Sequence, residues 1–130
     1  MIVINKFERS RPARRLGLMI ESKARIAIET LAIDAGRLRA DIDALNAIGR
    51  LDGLPGINRI SFSDADMAGR RWLLGRIEAA GLAARMDAVG NVFGRWEAGS
   101  GAAVLAGSHL DTVPHGGPFD GTLGVCAALE

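Results

Sequence analysis

This sequence has only one cysteine and no long hydrophobic run, as is typical of a soluble globular protein. Its 130 residues include a single cysteine, Cys126, so an internal disulfide is excluded and a reducing, cytoplasmic location is expected. No apolar run approaches the roughly 20 residues of a membrane-spanning helix. The apolar run from Leu16 to Ile20 is also shorter than a signal-peptide core of roughly 7–15 residues. We therefore expect no membrane partner.

A strong net charge is also absent. The formal charge of +1 gives no reason to expect a nucleic-acid partner, which usually requires a basic face. The charge is nevertheless uneven, because residues 1–25 hold seven basic residues against two acidic ones, a net +5. Such a start is typical of a transit peptide, of an arm for an anionic surface or of a solvated extension. For residues 1–33 we favour a basic, poorly defined extension.

Two helices are predicted after this extension. In the first, Asp34 is the cap, Leu38, Ile42 and Leu45 form an apolar face, and Gly49 is the stop. The second begins at Ser63, ends at Gly81 and starts with a capping box in which aspartate replaces the usual glutamate or glutamine. Three basic side chains are expected on its solvated face: Arg70, Arg71 and Arg76.

Three strands and the start of a third helix follow. The apolar run 102–107 predicts a strand that is covered on both faces. Because this strand leads through a loop into a helix, the fold class is α/β, and a site is expected at the carboxyl end of the strand. The predicted strands and helix are Leu82–Asp87, Asn91–Trp96, Ala102–Gly107 and Thr122–Glu130.

Both histidines lie in the stretch from Ala103 to Gly121. Side chains alternate along an extended segment, so His109 and Asp111 are predicted to point the same way. A carboxylate beside an imidazole that binds zinc, manganese or cobalt can fix the ring's tautomer. A glycine-rich loop returns the chain to Asp120, which would bind one metal or bridge two. Two metals ~3.5–4 Å apart activate water and polarise a carbonyl together.

Each of these residues also has a plain structural interpretation. A lone His-x-Asp pair is a weak signal and is more often structural. His115, beside a proline and two glycines, is typical of a loop residue, with substrate contact as the alternative. Cys126 lies among small apolar residues and is interpreted as packing. Ser108 is excluded as a nucleophile elbow because Ala106 and Leu110 stand where glycines are required.

Two segments together resemble the first metal motif of the dinuclear-zinc amidohydrolase and exopeptidase superfamily. They are Gly107-Ser108-His109-Leu110-Asp111-Thr112-Val113-Pro114 and Gly116-Gly117-Pro118-Phe119-Asp120-Gly121. The second is similar to the form found in the hydantoinase/carbamoylase amidases, a branch that includes N-carbamoyl-L-amino-acid hydrolases and allantoate amidohydrolases. Further segments resemble the N-terminal region of that branch: Phe62-Ser63 with Asp66, Arg71-Trp72-Leu73, Glu78-Ala79-Ala80-Gly81-Leu82 and Asp87-Ala88-Val89-Gly90-Asn91-Val92-Phe93-Gly94-Arg95.

The resemblance, which covers about residues 34–130, implies a role for each matching residue. His109 would ligate a metal, Asp111 would orient His109 without binding metal, and Asp120 would bridge two metals. The ions would be zinc, manganese or cobalt, and this chain would hold an incomplete site. The resemblance also implies a cis peptide between Asp120 and Gly121, although such a bond costs ~2.5–4 kcal/mol outside proline.

The resemblance further implies metal-dependent hydrolysis of a linear amide or carbamoyl C–N bond. The substrate would be an N-carbamoyl-L-amino acid or a related ureido acid, and Val113-Pro114 favours the carbamoylase over the allantoate enzyme. An aminoacylase or a dipeptidase-like exopeptidase is the alternative within this class. The family's Glu-Glu pair, its remaining ligands and its dimerisation domain are not among these 130 residues. We therefore expect residues 34–130 to be the N-terminal part of the metallopeptidase-like catalytic domain of a longer homodimeric enzyme, and the isolated chain to be inactive.

Overall fold

The computed structural model describes residues 2–5, 32–96 and 102–130, and these residues form three helices and four strands. The predicted α/β class is confirmed. The sequence would also allow a helix start at Ser10 and Pro12 and a tight turn at Gly99-Ser100-Gly101, and both lie outside the described residues. The elements, in chain order, are β1 (Ile2–Asn5), α1 (Ala35–Ala47), α2 (Asp64–Ala79), β2 (Ala83–Met86), β3 (Val92–Trp96), β4 (Ala103–Ala106) and α3 (Thr122–Leu129).

The capping signals place α1 and α2 where the sequence predicts them. The Asp34 carboxylate accepts a hydrogen bond from the Arg37 amide at 2.9 Å, and Gly49 takes a φ of +90° just after α1 ends. The Ser63 hydroxyl accepts from the Asp66 amide at 3.2 Å. The Asp66 carboxylate accepts from the amide of Phe62, one residue before the position that a capping box uses. The two helices are thus fixed by local chemistry.

The strands form one mixed sheet in the order β2-β3-β1-β4. β1 runs parallel to β3 and antiparallel to β4, with Ile2 opposite both Gly94 and Ala106. No element is predicted from sequence at Ile2–Asn5, where β1 lies. Its partners lie far along the chain, and a short apolar run carries no signal of pairing at such a distance.

The prediction that the last strand is covered on both faces is wrong. All four residues of β4 are exposed, and Val104 and Leu105 each keep 52% of their surface accessible. The reason is the position of β4 at the edge of the sheet, while α2 packs on β2 and β3 at the other end. An apolar run therefore predicted the strand correctly and its burial incorrectly.

The core lies between the helices and the β3 side of the sheet. A methyl group at Gly94 in β3 would lie 2.9 Å from Cγ2 of Ile77, so α2 packs directly on the strand backbone. Each buried aliphatic side chain of this kind contributes roughly 1.5–3 kcal/mol through removal from water. The buried cluster consists of Ile42, Leu45, Leu73, Ile77, Val92, Leu110, Val125 and Cys126.

The predicted solvated arginine face of α2 is only partly correct. Arg71 is exposed, but Arg70 lies 2.8 Å from the fully buried carboxylate of Asp66, and Arg76 forms two hydrogen bonds of 2.8 Å to Asp41 of α1. The Asp41 hydrogen bond raises the pKa of the Arg76 guanidinium. Arg76 thus joins α2 to α1, and Arg70 also donates to the Gly90 carbonyl in the turn before β3, because a long side chain can cover apolar surface while its charged end reaches a partner.

Candidate metal site

His109 lies in the segment between the end of β4 and the start of α3. Its Nδ1 is 2.9 Å from the backbone carbonyl oxygen of Asp111. Since a carbonyl only accepts hydrogen bonds, Nδ1 carries the proton, and in the neutral ring Nε2 keeps its lone pair. His109 is 47% exposed, so this lone pair is available to a ligand.

The Asp111 carboxylate also lies near the ring, with Oδ1 3.6 Å from Nδ1 of His109. The two side chains therefore share one side of the segment, as alternation along an extended backbone predicts. The closer contact comes from the Asp111 main chain. The hydrogen bond that fixes the tautomer of His109 is therefore the one to the Asp111 carbonyl. An orienting role for the Asp111 carboxylate stays a prediction.

Asp120 is returned to His109 by the glycine-rich loop. Its Oδ1 lies 3.4 Å from Nε2 of His109, without a hydrogen bond between them. A neutral imidazole nitrogen and a carboxylate oxygen both offer lone pairs, so this arrangement attracts a positive ion. Two ligands of a tetrahedral zinc, each roughly 2.0–2.2 Å from the metal, lie roughly 3.3–3.5 Å apart. The pair therefore fits a divalent metal by donor type and by spacing.

The predicted cis peptide between Asp120 and Gly121 is wrong, because the bond is trans. Gly121 instead reverses the chain with a φ of +70°, a conformation that glycine adopts without a steric penalty. The Thr122 amide donates to the Asp120 carbonyl at 2.8 Å, which closes the turn as α3 begins. This turn places the Asp120 side chain beside His109.

The described residues contain no group of three or more His, Cys, Asp or Glu side chains that could hold a metal. His109 and Asp120 supply two donors, whereas catalytic zinc sites usually have three protein ligands. Zinc and manganese both accept imidazole and carboxylate donors. His109 and Asp120 therefore fit a metal centre as two of its ligands, and a third protein ligand is not found among the described residues.

The loop that carries His115 is attached to a different part of the chain. Ile57 and Gly116 exchange backbone hydrogen bonds of 3.0 and 2.9 Å. His115 has a φ of +58° and its Nδ1 lies 2.9 Å from the Pro55 carbonyl, so this histidine also carries its proton on Nδ1. Within the described part of the chain, no hydrogen bond or ion pair joins His115 to His109 or Asp120. Its substrate role stays a prediction.

Arg59 is the residue that the sequence analysis missed. It is fully buried, and burial lowers the pKa of its guanidinium, an effect that the nearby charges of Asp66 and Asp111 partly offset. The guanidinium donates to the carbonyls of Leu110 at 2.6 Å, Leu45 at 2.8 Å and Ile48 at 3.0 Å, and to the Thr122 hydroxyl at 3.2 Å. The only sequence signal is that Arg59 is the single basic residue between Arg50 and Arg70.

Cys126 and Ser108 both pack closely against other residues of the fold. Cys126 is buried in the core cluster, and burial raises the pKa of its thiol to about 11. A methyl group on Gly124 would lie 2.8 Å from Cβ of Ser108, so this serine packs closely against α3. The packing interpretation of Cys126 is confirmed.

Comparison with known proteins gives the family. No protein-family model matches the sequence. The chain is 44% identical over 101 residues to a ureidoglycolate hydrolase of Oryza sativa subsp. japonica, and 44% identical over 78 residues to an N-carbamoyl-L-amino-acid amidohydrolase of Paenarthrobacter aurescens. These matches cover 75% and 58% of the chain. A crystal structure of a hydantoinase/carbamoylase family amidase from Burkholderia phymatum matches 76% of the chain with a TM-score of 0.70 and 47% identity.

The chain is therefore similar, over 76% of its length, to an amidase of the hydantoinase/carbamoylase family. The resemblance stated from the motifs is therefore confirmed at the level of this branch. The chain spans about a fifth of the length of the two curated relatives, 20% and 19%, and 24% of the Burkholderia phymatum amidase. A second solved structure, AtUAH in complex with (S)-hydroxyglycine, matches 78% of the present chain at 38% identity with a TM-score of 0.70.

None of the helices among the described residues is both long enough and apolar enough to cross a bilayer.

Proposed function

We propose that this chain supplies the first metal ligands of an amidohydrolase that cleaves a C–N bond in a linear carbamoyl or ureido acid. The observation that carries the proposal is the 3.4 Å approach of His109 Nε2 to the Asp120 carboxylate, on a segment whose relatives are amidohydrolases of such compounds. His109 and Asp120 would hold the metal, with Asp120 as the shared ligand if two ions bind. The single buried thiol supports a cytoplasmic location.

A divalent metal bound there supplies Lewis-acid polarisation of the carbonyl and lowers the pKa of water. The contribution of this chain is to orient the two ligands. In the neutral imidazole the Asp111 carbonyl holds the proton of His109 on Nδ1, which leaves the Nε2 lone pair on the side of Asp120. In the reaction, water adds to the carbamoyl carbon and the C–N bond breaks, with a proton delivered to the leaving nitrogen. The family resemblance assigns that proton transfer to a Glu-Glu pair, which these 130 residues do not contain.

The substrate class follows from the relatives. They include ureidoglycolate hydrolases, N-carbamoyl-L-amino-acid amidohydrolases and an allantoate deiminase. These names share a ureido or carbamoyl group next to an acid, so we propose a small molecule of that kind, with an N-carbamoyl-L-amino acid first. This grouping favours the carbamoylase branch over an aminoacylase or a dipeptidase-like exopeptidase. A homodimer formed through a separate domain remains part of the proposal.

For the isolated chain we propose a second function, an inactive metal-binding piece. The observation that favours it is the donor set, since the described residues contribute only His109 and Asp120 to the ion. Two protein donors hold a metal weakly, and hydrolysis requires a third ligand and a proton shuttle. The isolated chain should therefore release no ammonia from N-carbamoyl-L-amino acids above the rate of buffer.

A chimaera tests the proposed activity directly. Residues 34–130 replace the matching segment of the Burkholderia phymatum amidase, and ammonia release from N-carbamoyl-L-amino acids and ureidoglycolate is measured with zinc or manganese. The chimaera should be active, and His109→Ala or Asp120→Asn should each lower kcat/KM by at least a thousandfold. His115→Ala is the matched histidine control and should retain more than a tenth of the activity. A folded chimaera without activity towards either substrate class would refute the proposed function.

A further inference from the structure

We propose that Arg59 is the positioning residue of the candidate metal site. Its guanidinium fixes the backbone beside His109 and beside Asp120, so that the two donors stay within reach of one ion. The inference rests on the proposed metal site, but the central test below uses the metal-free chain and requires no turnover.

The buried charge has an unusual set of partners. Arg59 is fully buried, and among the described residues no carboxylate lies within ion-pair distance of it. All four acceptors of its side chain are neutral oxygens, three of them backbone carbonyls. Burying an ion costs several kcal/mol, and an apolar side chain of similar volume is often as stable or more so. What an apolar residue lacks is a rigid planar set of donors that fixes several acceptors at once.

On the His109 side, Arg59 fixes the peptide that follows the histidine. Its Nε donates to the Leu110 carbonyl at 2.6 Å, and the Thr112 amide donates to the Arg59 carbonyl at 2.8 Å. Arg59 holds the Leu110 carbonyl, and the next carbonyl along the chain, that of Asp111, lies 2.9 Å from Nδ1 of His109. The hydrogen bond that sets the tautomer of His109 thus depends on a backbone path that Arg59 fixes.

On the Asp120 side, Arg59 fixes the first residue of α3. Its Nη2 donates to the Thr122 hydroxyl at 3.2 Å, and the Thr122 amide donates to the Asp120 carbonyl at 2.8 Å. One planar group therefore connects the peptide after His109 with the turn after Asp120. The remaining nitrogen, Nη1, attaches this group to the Leu45 and Ile48 carbonyls at the end of α1. Arg59 thereby sets the separation of the two donors relative to a helix of the core.

The test compares Arg59→Lys with the wild-type chain and with Arg76→Lys, a control that changes a partly buried arginine outside the site. The chain has only two histidines, so ring ¹H–¹⁵N correlations resolve both tautomers without metal. In the wild type both rings should carry the proton on Nδ1. In Arg59→Lys, His109 should shift to a mixture dominated by Nε2–H, while His115, held by the Pro55 carbonyl, should not change. Arg76→Lys should leave both rings as in the wild type.

Zinc titration of the same chains gives a second readout. Arg59→Lys should weaken zinc binding at least tenfold, and Arg76→Lys less than twofold. A folded Arg59→Lys chain with an unchanged His109 ring overturns the positioning role, whatever the wild-type zinc affinity. A wild-type chain that binds no zinc counts instead against the proposed metal site, because the ring spectra stand on their own.

If Arg59→Lys unfolds, which the loss of the His115 signal would reveal, Thr122→Val decides the question. This variant keeps the cation and the side-chain shape but removes the hydroxyl on the Asp120 side. Zinc binding should fall at least fivefold with the fold intact. A Thr122→Val chain with wild-type zinc binding and ring spectra would overturn the proposal.

Discussion

Gly121 lies directly against His109. A Cβ built on Gly121 would be 2.4 Å from the His109 carbonyl oxygen, 2.7 Å from its Cε1 and 2.8 Å from its Nδ1. Gly121 also has a φ of +70°. The glycine that follows Asp120 is therefore required twice, once for the backbone turn and once for the space that the imidazole occupies.

Gly121→Ala should consequently displace His109 and strain the turn. A non-glycine residue in this backbone region costs about 1–2 kcal/mol, and the contact with the His109 carbonyl adds to that cost. We expect the free energy of unfolding in urea to fall by about 2 kcal/mol and zinc affinity to fall at least tenfold. Gly117→Ala is the control in the same loop, because a Cβ there meets nothing within 4 Å. Equal zinc affinity for the two variants would contradict the close packing of Gly121 on His109.

The second prediction concerns Thr112 and the free energy of unfolding. Its buried hydroxyl accepts from the Arg59 amide at 2.9 Å and donates to the Ile57 carbonyl at 3.0 Å. Thr112→Val keeps the shape and leaves the Arg59 amide without its acceptor, while the Ile57 carbonyl keeps the hydrogen bond from the Gly116 amide. Because a buried unsatisfied polar group costs about 1–3 kcal/mol, we expect the free energy of unfolding to fall by about 1–3 kcal/mol.

Thr112→Ser is the matched control, since it keeps the hydroxyl and removes only a methyl group. It should cost less than half as much as Thr112→Val in the same urea titration. A larger loss for serine than for valine would show that packing of the methyl group, and not the two hydrogen bonds, holds this segment.

The third prediction separates two neighbouring arginines. Arg70 pairs with the buried Asp66 carboxylate, donates to the Gly90 carbonyl and lies over the Phe62 ring, whereas Arg71 is exposed. Arg70→Met leaves a buried carboxylate without its cation, so the free energy of unfolding should fall by about 3 kcal/mol. Arg71→Met should change it by less than about 0.5 kcal/mol. Thermal unfolding followed by circular dichroism measures both, and equal effects would contradict the pairing of Arg70.

The elements that sequence reasoning predicts well are those with local causes. Asp34 and Ser63 cap their helices through hydrogen bonds to residues three positions later, and Gly49 and Gly81 end them with positive φ values. Such signals lie within one helical turn, so they can be read from neighbouring residues. The candidate metal donors His109 and Asp120 were also predictable from sequence, because both lie in the motif segments that resemble a known family.

The features that sequence reasoning missed depend on distant partners. β1 pairs with strands about 90 to 100 positions later, and the exposure of β4 follows from its place at the sheet edge. Arg59 looks like any surface arginine, because residue type alone predicts exposure for a basic side chain. Its burial becomes evident only when the α1 carbonyls, Leu110 and Thr122 are brought together. Local pattern gives the donors, while tertiary contacts give the residue that holds them.

Cys126 provides a prediction for the core that α3 completes. Burial raises the pKa of its thiol to about 11 from an ordinary value of 9.0, so the folded state disfavours the thiolate. At pH 8 the thiolate fraction should be about a hundredfold lower than in the unfolded chain, and iodoacetamide should react correspondingly more slowly.

Because the pKa of the Cys126 thiol is higher in the folded chain, the stability linked to this thiol is fully present below pH 9 and is lost as the pH rises towards 11. Urea titrations at pH 8 and pH 10.5 should therefore show a larger loss for the wild type than for Cys126→Ala. Rapid alkylation of the folded chain at pH 8 would mean that α3 opens from the core.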